Sequence, residues 1–325
     1  MTFPDFGSFE DDCGLIPANQ SGDGRFTVGG DGVTAIAATG DKKVEFIGFA
    51  SHTMARVNSQ MGYPAYYPVH PAALRKPVEA VLMDLDGTSV RSEEFWIWII
   101  ELTVKSLTEN ARFSLEDSDL PFVSGHSVSE HLRYCIGKYC PEQTVERARE
   151  FYFRHTRREM KKITEGTGRA DAFTPAPGLK DFLYGLKSKG IKIGLVTSGL
   201  FEKAWPEILS AFRTLHMGDP LEFYDTVISA GHPLQKGGAG TLGELSPKPH
   251  PWLYAEAFRV GLGMDFARRN HALGIEDSAA GVCSIRLAGI PTAGISGGNI
   301  EKSGAKCLCN FYRRDLSEIF KLIEE

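Results

Sequence analysis

The sequence predicts an α/β protein built on a parallel β-sheet. From residue 78 onward, short apolar segments typical of buried strands alternate with amphipathic segments typical of helices. Several of the apolar segments end directly at charged or hydroxyl residues, as strands do at the ligand-binding edge of such a sheet. A helical stretch interrupts the alternation after the first strand, and a short β-rich region precedes it. We therefore expect a parallel-sheet core with a helical insertion and an N-terminal extension.

Composition narrows the class of protein. The 325 residues are 42% hydrophobic and 24% charged, which is enough apolar material for a globular core. The net charge of −5 argues against nucleic-acid binding as the main activity. The apolar run FWIWII at 95–100 is far too short to span a membrane, and the N-terminus lacks a signal-peptide pattern. Six cysteines do not make a disulfide framework in a chain of this length. We expect a cytoplasmic protein with reduced cysteines and no membrane or nucleic-acid partner.

Residues 1–76 form the N-terminal extension. Runs of β-forming residues at 25–30, 33–39 and 43–50 alternate with Gly-Asp turn signals, which predicts a small antiparallel meander. Four prolines within 61–77 favour an extended connector, so we place a boundary near residue 77. We expect the extension to act as a covering flap, or as an arm through which the protein forms a homo-oligomer, rather than as a ligand-binding site.

The core is predicted over 77–90 and 174–325, and the insertion over 91–173. Five core strands are expected, at 80–85, 191–197, 223–230, 271–276 and 291–296. The insertion contains helical patterns only, such as EEFWIWIIELTVKSL and VERAREFYFRHTRREMKKI. We interpret it as an α-helical cap that ends at a hinge, TPAPG.

Four short motifs lie at predicted strand ends or beside them. They are Asp84 and Asp86 after the first strand, Thr197-Ser198-Gly199 after the second, Lys248 before the fourth, and Glu276-Asp277 after the fourth. Each alone has an ordinary interpretation as a turn, a helix cap or a surface loop. Their combination along one edge of a sheet instead predicts a single ligand site.

The reaction expected at this site is predicted chiefly from two carboxylates, Asp84 and Asp86. Residues two apart on a strand share a face, and two charges 4 Å apart repel by roughly 4 kcal/mol at an effective dielectric constant near 20. Together with Glu276 and Asp277, these side chains would be tolerable around a hard divalent cation, and Mg²⁺ suits oxygen ligands and phosphate. One carboxylate could attack phosphorus, the other could transfer protons, and Lys248 could neutralise developing charge. The sequence thus predicts phosphoryl chemistry on a small phosphorylated metabolite.

The ordered motifs DxDGT, T-S-G, K-P and E-D resemble those of the haloacid dehalogenase-like superfamily. The resemblance covers about residues 78–325 and is nearest to the branch of phosphatases and beta-phosphoglucomutase-like proteins with a helical cap. It implies a Rossmann-like core, with Asp84 as the nucleophile and Asp86 as the general acid and base. It further implies that Lys248 bridges the phosphate to Asp84, and that Asp277, supported by Glu276, completes a Mg²⁺ site.

The resemblance also assigns substrate contacts. Thr197 and the Ser198 amide would hold the phosphate in a cradle that includes Gly199. The cap would close over the substrate, and its loop at 124–132 offers Gly125 and His126 as candidate contacts, with ordinary loop residues as the alternative.

Two features depart from the family pattern. Fifty residues separate Thr197 from Lys248, which is more than the branch requires, and the excess includes a glycine-rich segment at 231–245. We interpret that segment as an insertion rather than a substrate lid. The N-terminal extension is the second departure.

The function expected is a Mg²⁺-dependent phosphatase that works through an aspartyl-phosphate. A phosphosugar mutase of the beta-phosphoglucomutase type, or a catalytically silent phosphometabolite-binding protein, is the alternative. Where mutases of this branch carry basic cap residues, alignment places Trp96, Ser124 and Val128, which favours the hydrolase. Because every motif lies after Pro77, we expect the extension not to build the catalytic crevice.

Overall fold

The computed structural model describes residues 2–8, 14–58, 64–123, 128–169, 171–229 and 247–324. These residues form two compact units. The first comprises Met1–Ser89, Ala176–Ala204 and Met217–Glu325, and the second comprises Val90–Pro175 and Trp205–His216. The division into extension, core and cap remains a prediction from the sequence.

Strands are numbered in chain order. They are β1 (Thr2–Phe3), β2 (Gly7–Ser8), β3 (Ile16–Ala18), β4 (Val33–Ala38), β5 (Val44–Phe49), β6 (Thr53–Val57), β7 (Ala65–Pro68), β8 (Ala80–Asp84), β9 (Val90–Arg91), β10 (Thr174–Pro175), β11 (Lys192–Thr197), β12 (Thr226–Ser229), β13 (Ala272–Glu276), β14 (Thr292–Ile295) and β15 (Phe311–Arg313).

The α-helices are numbered in the same way. They are α1 (Glu93–Thr108), α2 (Leu120–Val123), α3 (Val128–Tyr139), α4 (Val145–Thr164), α5 (Leu179–Ser188), α6 (Phe201–Leu215), α7 (Pro220–Phe223), α8 (Trp252–Glu256), α9 (Ala279–Leu287) and α10 (Leu316–Glu324). Within the described ranges, none of the helices is both long and apolar enough to cross a membrane.

A parallel sheet of six strands forms the core of the first unit, in the order β12-β11-β8-β13-β14-β15. This confirms the predicted α/β class. Each of the five predicted strands is present, although β12 begins later than expected because Pro220–Phe223 forms the short helix α7 instead. The edge strand β15 was not predicted, because its three residues are too few to show a strand period.

The register of the sheet places the ends of β11, β8 and β13 side by side. β8 lies between β11 and β13, with Val196 opposite Asp84 and Ile275 opposite Met83. All five residues of β8 are buried, which explains its uninterrupted apolar run up to the final aspartate. The carboxyl ends of the three strands therefore meet at one edge of the sheet.

The N-terminal extension folds as an antiparallel sheet in the order β3-β4-β5-β6-β7, so the predicted meander is confirmed. The predicted run at 25–30 is not one of its strands, because the Gly30 amide closes a turn by donating to the Thr27 carbonyl. The proline-rich stretch expected to be only a connector instead supplies β7, since Pro68 occupies the last position of an edge strand, where its missing N–H is tolerated. One face of this sheet packs on α9, with Phe46 and Val57 in one apolar cluster with Val282. The sheet thereby belongs to the same packed block as the core.

The second unit is helical, as the sequence predicts, apart from the short antiparallel pair β9–β10. The helix α4 is rich in basic residues, and four of them pair with glutamates: Arg147, Arg158, Lys161 and Lys162. Arg147 contacts Glu150 at 2.7 Å, and Lys162 contacts Glu159 at 3.0 Å. Such pairs, three or four positions apart, are typical of the solvated face of a helix.

Candidate active site

Asp84, Thr197 and Glu276 are the last residues of β8, β11 and β13. Lys248 reaches into this edge from the segment before α8. Its Nζ lies 2.5 Å from Asp84 Oδ1 and 2.6 Å from Glu276 Oε1, and its side chain is only 6% exposed. The three motifs that the sequence places far apart therefore meet in one buried ion-pair cluster.

Both the ammonium group and the backbone amide of Lys248 form hydrogen bonds. Its ammonium group also donates to the Val196 carbonyl at 3.0 Å, and its backbone N–H donates to Ser198 Oγ at 3.1 Å. All three ammonium protons therefore have acceptors, and the backbone is tied to the loop after β11. A lysine held in this way acts as a fixed positive charge between two carboxylates.

Glu276 is fully buried and fully engaged. Its Oε1 accepts from the Tyr254 hydroxyl at 2.8 Å as well as from Lys248, and its Oε2 accepts from Ser278 Oγ at 2.9 Å. A Cβ on Gly281 would lie 1.8 Å from its carboxyl carbon, so α9 approaches this closely only because that position is glycine. Glu276 is therefore committed to protein partners.

Asp277 lies between two glycines that the sequence analysis did not single out. A Cβ on Gly87 would lie 2.0 Å from Asp277 Oδ2, and Gly87 has a φ of +85°, which favours glycine. A Cβ on Gly298 would lie 2.1 Å from the Asp277 carbonyl oxygen. The consecutive glycines after β14 were the available signal for this close approach.

The three carboxylates of Asp84, Glu276 and Asp277 each offer an oxygen atom, and these atoms lie within 4.8 Å of one another. Burial, reinforced by the nearby Glu276 charge, raises the pKa of Asp84 well above its ordinary value. The same two causes raise the pKa of Asp277 to about 7. Although burial opposes it, the Asp84 and Glu276 carboxylates raise the pKa of Lys248. Excess negative charge in a buried set of oxygen atoms fits a hard divalent cation such as Mg²⁺.

The loop after β11 holds the three residues predicted to form an anion cradle. Thr197 is 1% exposed, and its Oγ1 accepts from the Gly199 amide at 2.9 Å, which holds the turn that precedes α6. Ser198 is exposed, and Gly199 is half-buried. The predicted cradle residues therefore lie next to the Asp84–Lys248 pair, through the bond from the Lys248 amide to Ser198.

Asp86 faces a cation that the sequence analysis missed. Lys203, in the first turn of α6, places its Nζ 3.4 Å from both carboxylate oxygens of Asp86. Each of these two side chains is about one third exposed, at 37% and 34%. The signal available in the sequence was a lysine one helical turn after the T-S-G loop.

The remaining candidates lie outside the described residues. Gly125 and His126 fall within 124–127, and the glycine-rich segment 231–245 falls within 230–246. Their assignments remain predictions from the sequence.

Comparison with known proteins agrees with the fold that carries this site. Residues 81–229 match the family model described as haloacid dehalogenase-like hydrolase. No curated protein matches the chain. CbbY from Rhodobacter sphaeroides, solved in complex with phosphate, has a TM-score of 0.51 and 18% identity over 74% of this chain and 96% of its own.

Two further solved structures share the fold. A protein from Thermotoga maritima assigned as a beta-phosphoglucomutase has a TM-score of 0.53 and 20% identity over 76% of this chain and 98% of its own. A protein from Haemophilus somnus assigned as a phosphoglycolate phosphatase has a TM-score of 0.55 and 16% identity over the same two shares. Residues 81–229, which hold β8 and β11 with their motifs, thus resemble the haloacid dehalogenase-like hydrolase family in sequence, and the solved structures show the same fold.

Proposed function

We propose that the protein is a Mg²⁺-dependent phosphatase that hydrolyses a small phosphorylated metabolite through an aspartyl-phosphate. The observation that carries this proposal is the buried contact of Lys248 with Asp84 and Glu276, beside Asp277, at the carboxyl edge of the sheet. A strand-end carboxylate held by a fixed ammonium group suits nucleophilic attack on phosphorus.

Two carboxylates share the chemistry. Asp84 Oδ attacks phosphorus, an acyl-phosphate bond forms, and the ester P–O bond breaks. Asp86, whose carboxyl group is partly exposed, donates a proton to the departing oxygen. Asp86 then takes a proton from a water molecule that attacks phosphorus, and inorganic phosphate leaves with Asp84 regenerated.

The Asp84 carboxyl group must be ionised to attack phosphorus, but its surroundings favour the protonated form. Burial and neighbouring carboxylates raise the pKa of Asp84, and Lys248 opposes them only in part. Mg²⁺ held by Asp84 and Asp277, with the predicted participation of Asp86, would supply the missing positive charge to the carboxylates and to the phosphoryl group. Glu276 supports this site by fixing Lys248, because its oxygens already accept from Lys248, Tyr254 and Ser278.

The phosphate is proposed to bind in the loop after β11. This loop leads into the first turn of α6, where the positive end of the helix dipole favours anions, and Thr197 Oγ1 and the amide of Ser198 are the proposed contacts. Lys203 lies beside Asp86, the proposed proton donor to the leaving group. Lys248 and Lys203 would then bracket the substrate with positive charge.

Screening a panel of phosphorylated metabolites for phosphate release tests this proposal. We expect turnover of at least one ester with Mg²⁺, loss of turnover with EDTA, and recovery on adding Mg²⁺ back. The Lys321→Met variant, which changes a lysine of α10, provides a control that should match the unmodified protein. Phosphate release that persists in EDTA would contradict the metal requirement, and the absence of any turned-over ester would contradict the phosphatase.

The mutase alternative uses the same carboxylates and needs a separate test. A mutase must hold a second phosphate, yet Trp96, at a position where the branch's mutases carry a basic residue, packs its ring against Phe95 and Phe173. We therefore expect phosphate release without interconversion of hexose 1- and 6-phosphates, even when a sugar bisphosphate is supplied. Efficient isomerisation with little phosphate release would assign the mutase instead.

A further inference from the structure

We propose that the N-terminal sheet positions the active site from outside the crevice, because Tyr67 of β7 holds the segment that carries Lys248. The contact is a hydrogen bond between the Tyr67 hydroxyl and His250 Nδ1, at 2.8 Å. His250 is two residues beyond Lys248. Tyr67 and His250 are accordingly positioning residues, which act on the reaction through Lys248.

His250 is buried, and both its carbonyl oxygen and its amide form hydrogen bonds. It is 4% exposed, its carbonyl oxygen accepts from Ser284 Oγ of α9 at 2.6 Å, and its own amide donates to the Pro247 carbonyl at 3.0 Å. Burial lowers the pKa of His250, so a neutral ring faces Tyr67. The segment before α8 is therefore attached both to α9 and to the N-terminal sheet.

The sheet is itself firmly attached to the helix that follows Asp277. Phe46 and Ala55, with the first residue of α9, Ala279, belong to one buried cluster. The Tyr67 ring packs against this cluster and meets the rings of His250 and Trp252 edge-on, at 5.8 and 5.9 Å. The packing of the N-terminal sheet thus holds the Tyr67 hydroxyl next to His250.

The consequence concerns the lysine. The Nζ atom of Lys248 must remain within hydrogen-bond distance of Asp84 and Glu276, and a displacement of about 1 Å in a catalytic group can lower a rate by about 10²-fold. Removing the Tyr67 hydroxyl leaves the buried His250 ring without this partner and loosens its segment. The inference rests on the proposed function in so far as Lys248 serves catalysis.

The neighbouring residue provides a matched control. Tyr66 lies on the opposite face of β7, where its hydroxyl donates to Asp23 and its ring meets Phe26. Both tyrosines are half-buried and bond through the hydroxyl, so Tyr66→Phe and Tyr67→Phe remove the same group from the same strand. Only Tyr67→Phe removes the contact with His250.

The experiment compares the full-length variants by amide hydrogen exchange and by kinetics. In Tyr67→Phe we expect exchange of the Lys248 and His250 amides to rise by about 5-fold, and in Tyr66→Phe to stay unchanged. Under the proposed function, kcat for a turned-over phosphate ester should fall by about 10-fold in Tyr67→Phe while KM changes less than about 2-fold. In His250→Asn, whose amide oxygen can accept from Tyr67, more of kcat should remain than in His250→Ala.

Each outcome decides one question. Unchanged exchange at Lys248 and His250 in Tyr67→Phe overturns the inference, whatever the activity. Equal losses of kcat in the two tyrosine variants also overturn it, because a general loss of stability would then suffice. Raised exchange in a protein that turns over no phosphate ester supports the positioning by Tyr67 and overturns the proposed function alone.

Discussion

Two buried aspartates in this molecule have opposite surroundings. Asp119, in the second unit, is fully buried and accepts hydrogen bonds from Lys138 at 2.6 Å, Tyr134 at 2.6 Å, Tyr139 and the Glu116 amide. Although burial raises it, these bonds bring the pKa of Asp119 below its ordinary value. Asp84, in the first unit, is buried beside two further carboxylates, and its pKa is raised.

Burial alone therefore does not distinguish a structural carboxylate from the proposed nucleophile. Asp119 has enough donors to satisfy both of its oxygens, so its charge stabilises the fold. Asp84 shares one ammonium group with Glu276 and lies near Asp277, so its negative charge is only partly compensated. Because the carboxylates around Asp84 lack enough positive charge nearby, their site is suited to a cation.

The largest effect is expected from Asp84→Asn. Removing the proposed nucleophile should lower kcat for phosphate release by at least about 10³-fold. The free energy of unfolding of the metal-free protein should change by less than about 1 kcal/mol, since the lost contact with Lys248 and the relieved repulsion from neighbouring carboxylates oppose each other. Wild-type turnover in this variant would refute the mechanism.

The reverse pattern is expected from Asp119→Asn. An amide offers one acceptor oxygen where the carboxylate offers two, so bonds to Lys138 and the two tyrosines weaken, and stability should fall by roughly 2–3 kcal/mol in urea unfolding. The kcat of the folded protein should stay within about 2-fold. A variant as stable as the unmodified protein would show that this centre does not stabilise the fold.

The two centres should also respond oppositely to pH. A carboxyl group with a raised pKa contributes stability at low pH and loses it as pH rises through its folded value, which is about 7 for Asp277. Asp119, with a lowered pKa, contributes above its ordinary pKa and loses that contribution as pH falls.

Mg²⁺ should therefore stabilise the protein more at pH 8 than at pH 5.5, by about 1.4 kcal/mol when the ion is ten times its Kd at pH 8 and binds negligibly at pH 5.5. Thermal unfolding with Mg²⁺ or EDTA at both values measures this difference. Asp119→Asn should keep it, and Asp277→Asn should reduce it. An equal gain at the two pH values would contradict the role of the raised pKa.

The smallest effect is expected from Lys203→Met. Its contact with Asp86 is long and partly exposed, so kcat/KM should fall by only about 3- to 5-fold, which is below about 1 kcal/mol. Lys187→Met is the matched control, because Lys187 forms a similarly exposed ion pair with Asp225. Steady-state kinetics should show a lower kcat/KM in Lys203→Met than in Lys187→Met. Equal values of kcat/KM would contradict a role for Lys203 in the reaction.

Local patterns made much of the fold predictable. The apolar run before Asp84 and the turn chemistry after it are properties of adjacent residues, as is the hydroxyl and glycine loop after β11. Lys203 and Tyr67 escaped sequence analysis because their partners are distant in the chain. Asp86 lies 117 positions from Lys203, and His250 lies 183 positions from Tyr67.

The sequence by itself determined where the strands end and which side chains stand at those ends, because strand period and turn residues act over a few positions. Only the tertiary structure decided which buried carboxylates are satisfied. Asp119 and Asp84 are both aspartates next to apolar residues in the sequence. Their pKa values diverge because donors and like charges reach them from other elements, and burial in a medium of low dielectric constant amplifies each of those contacts.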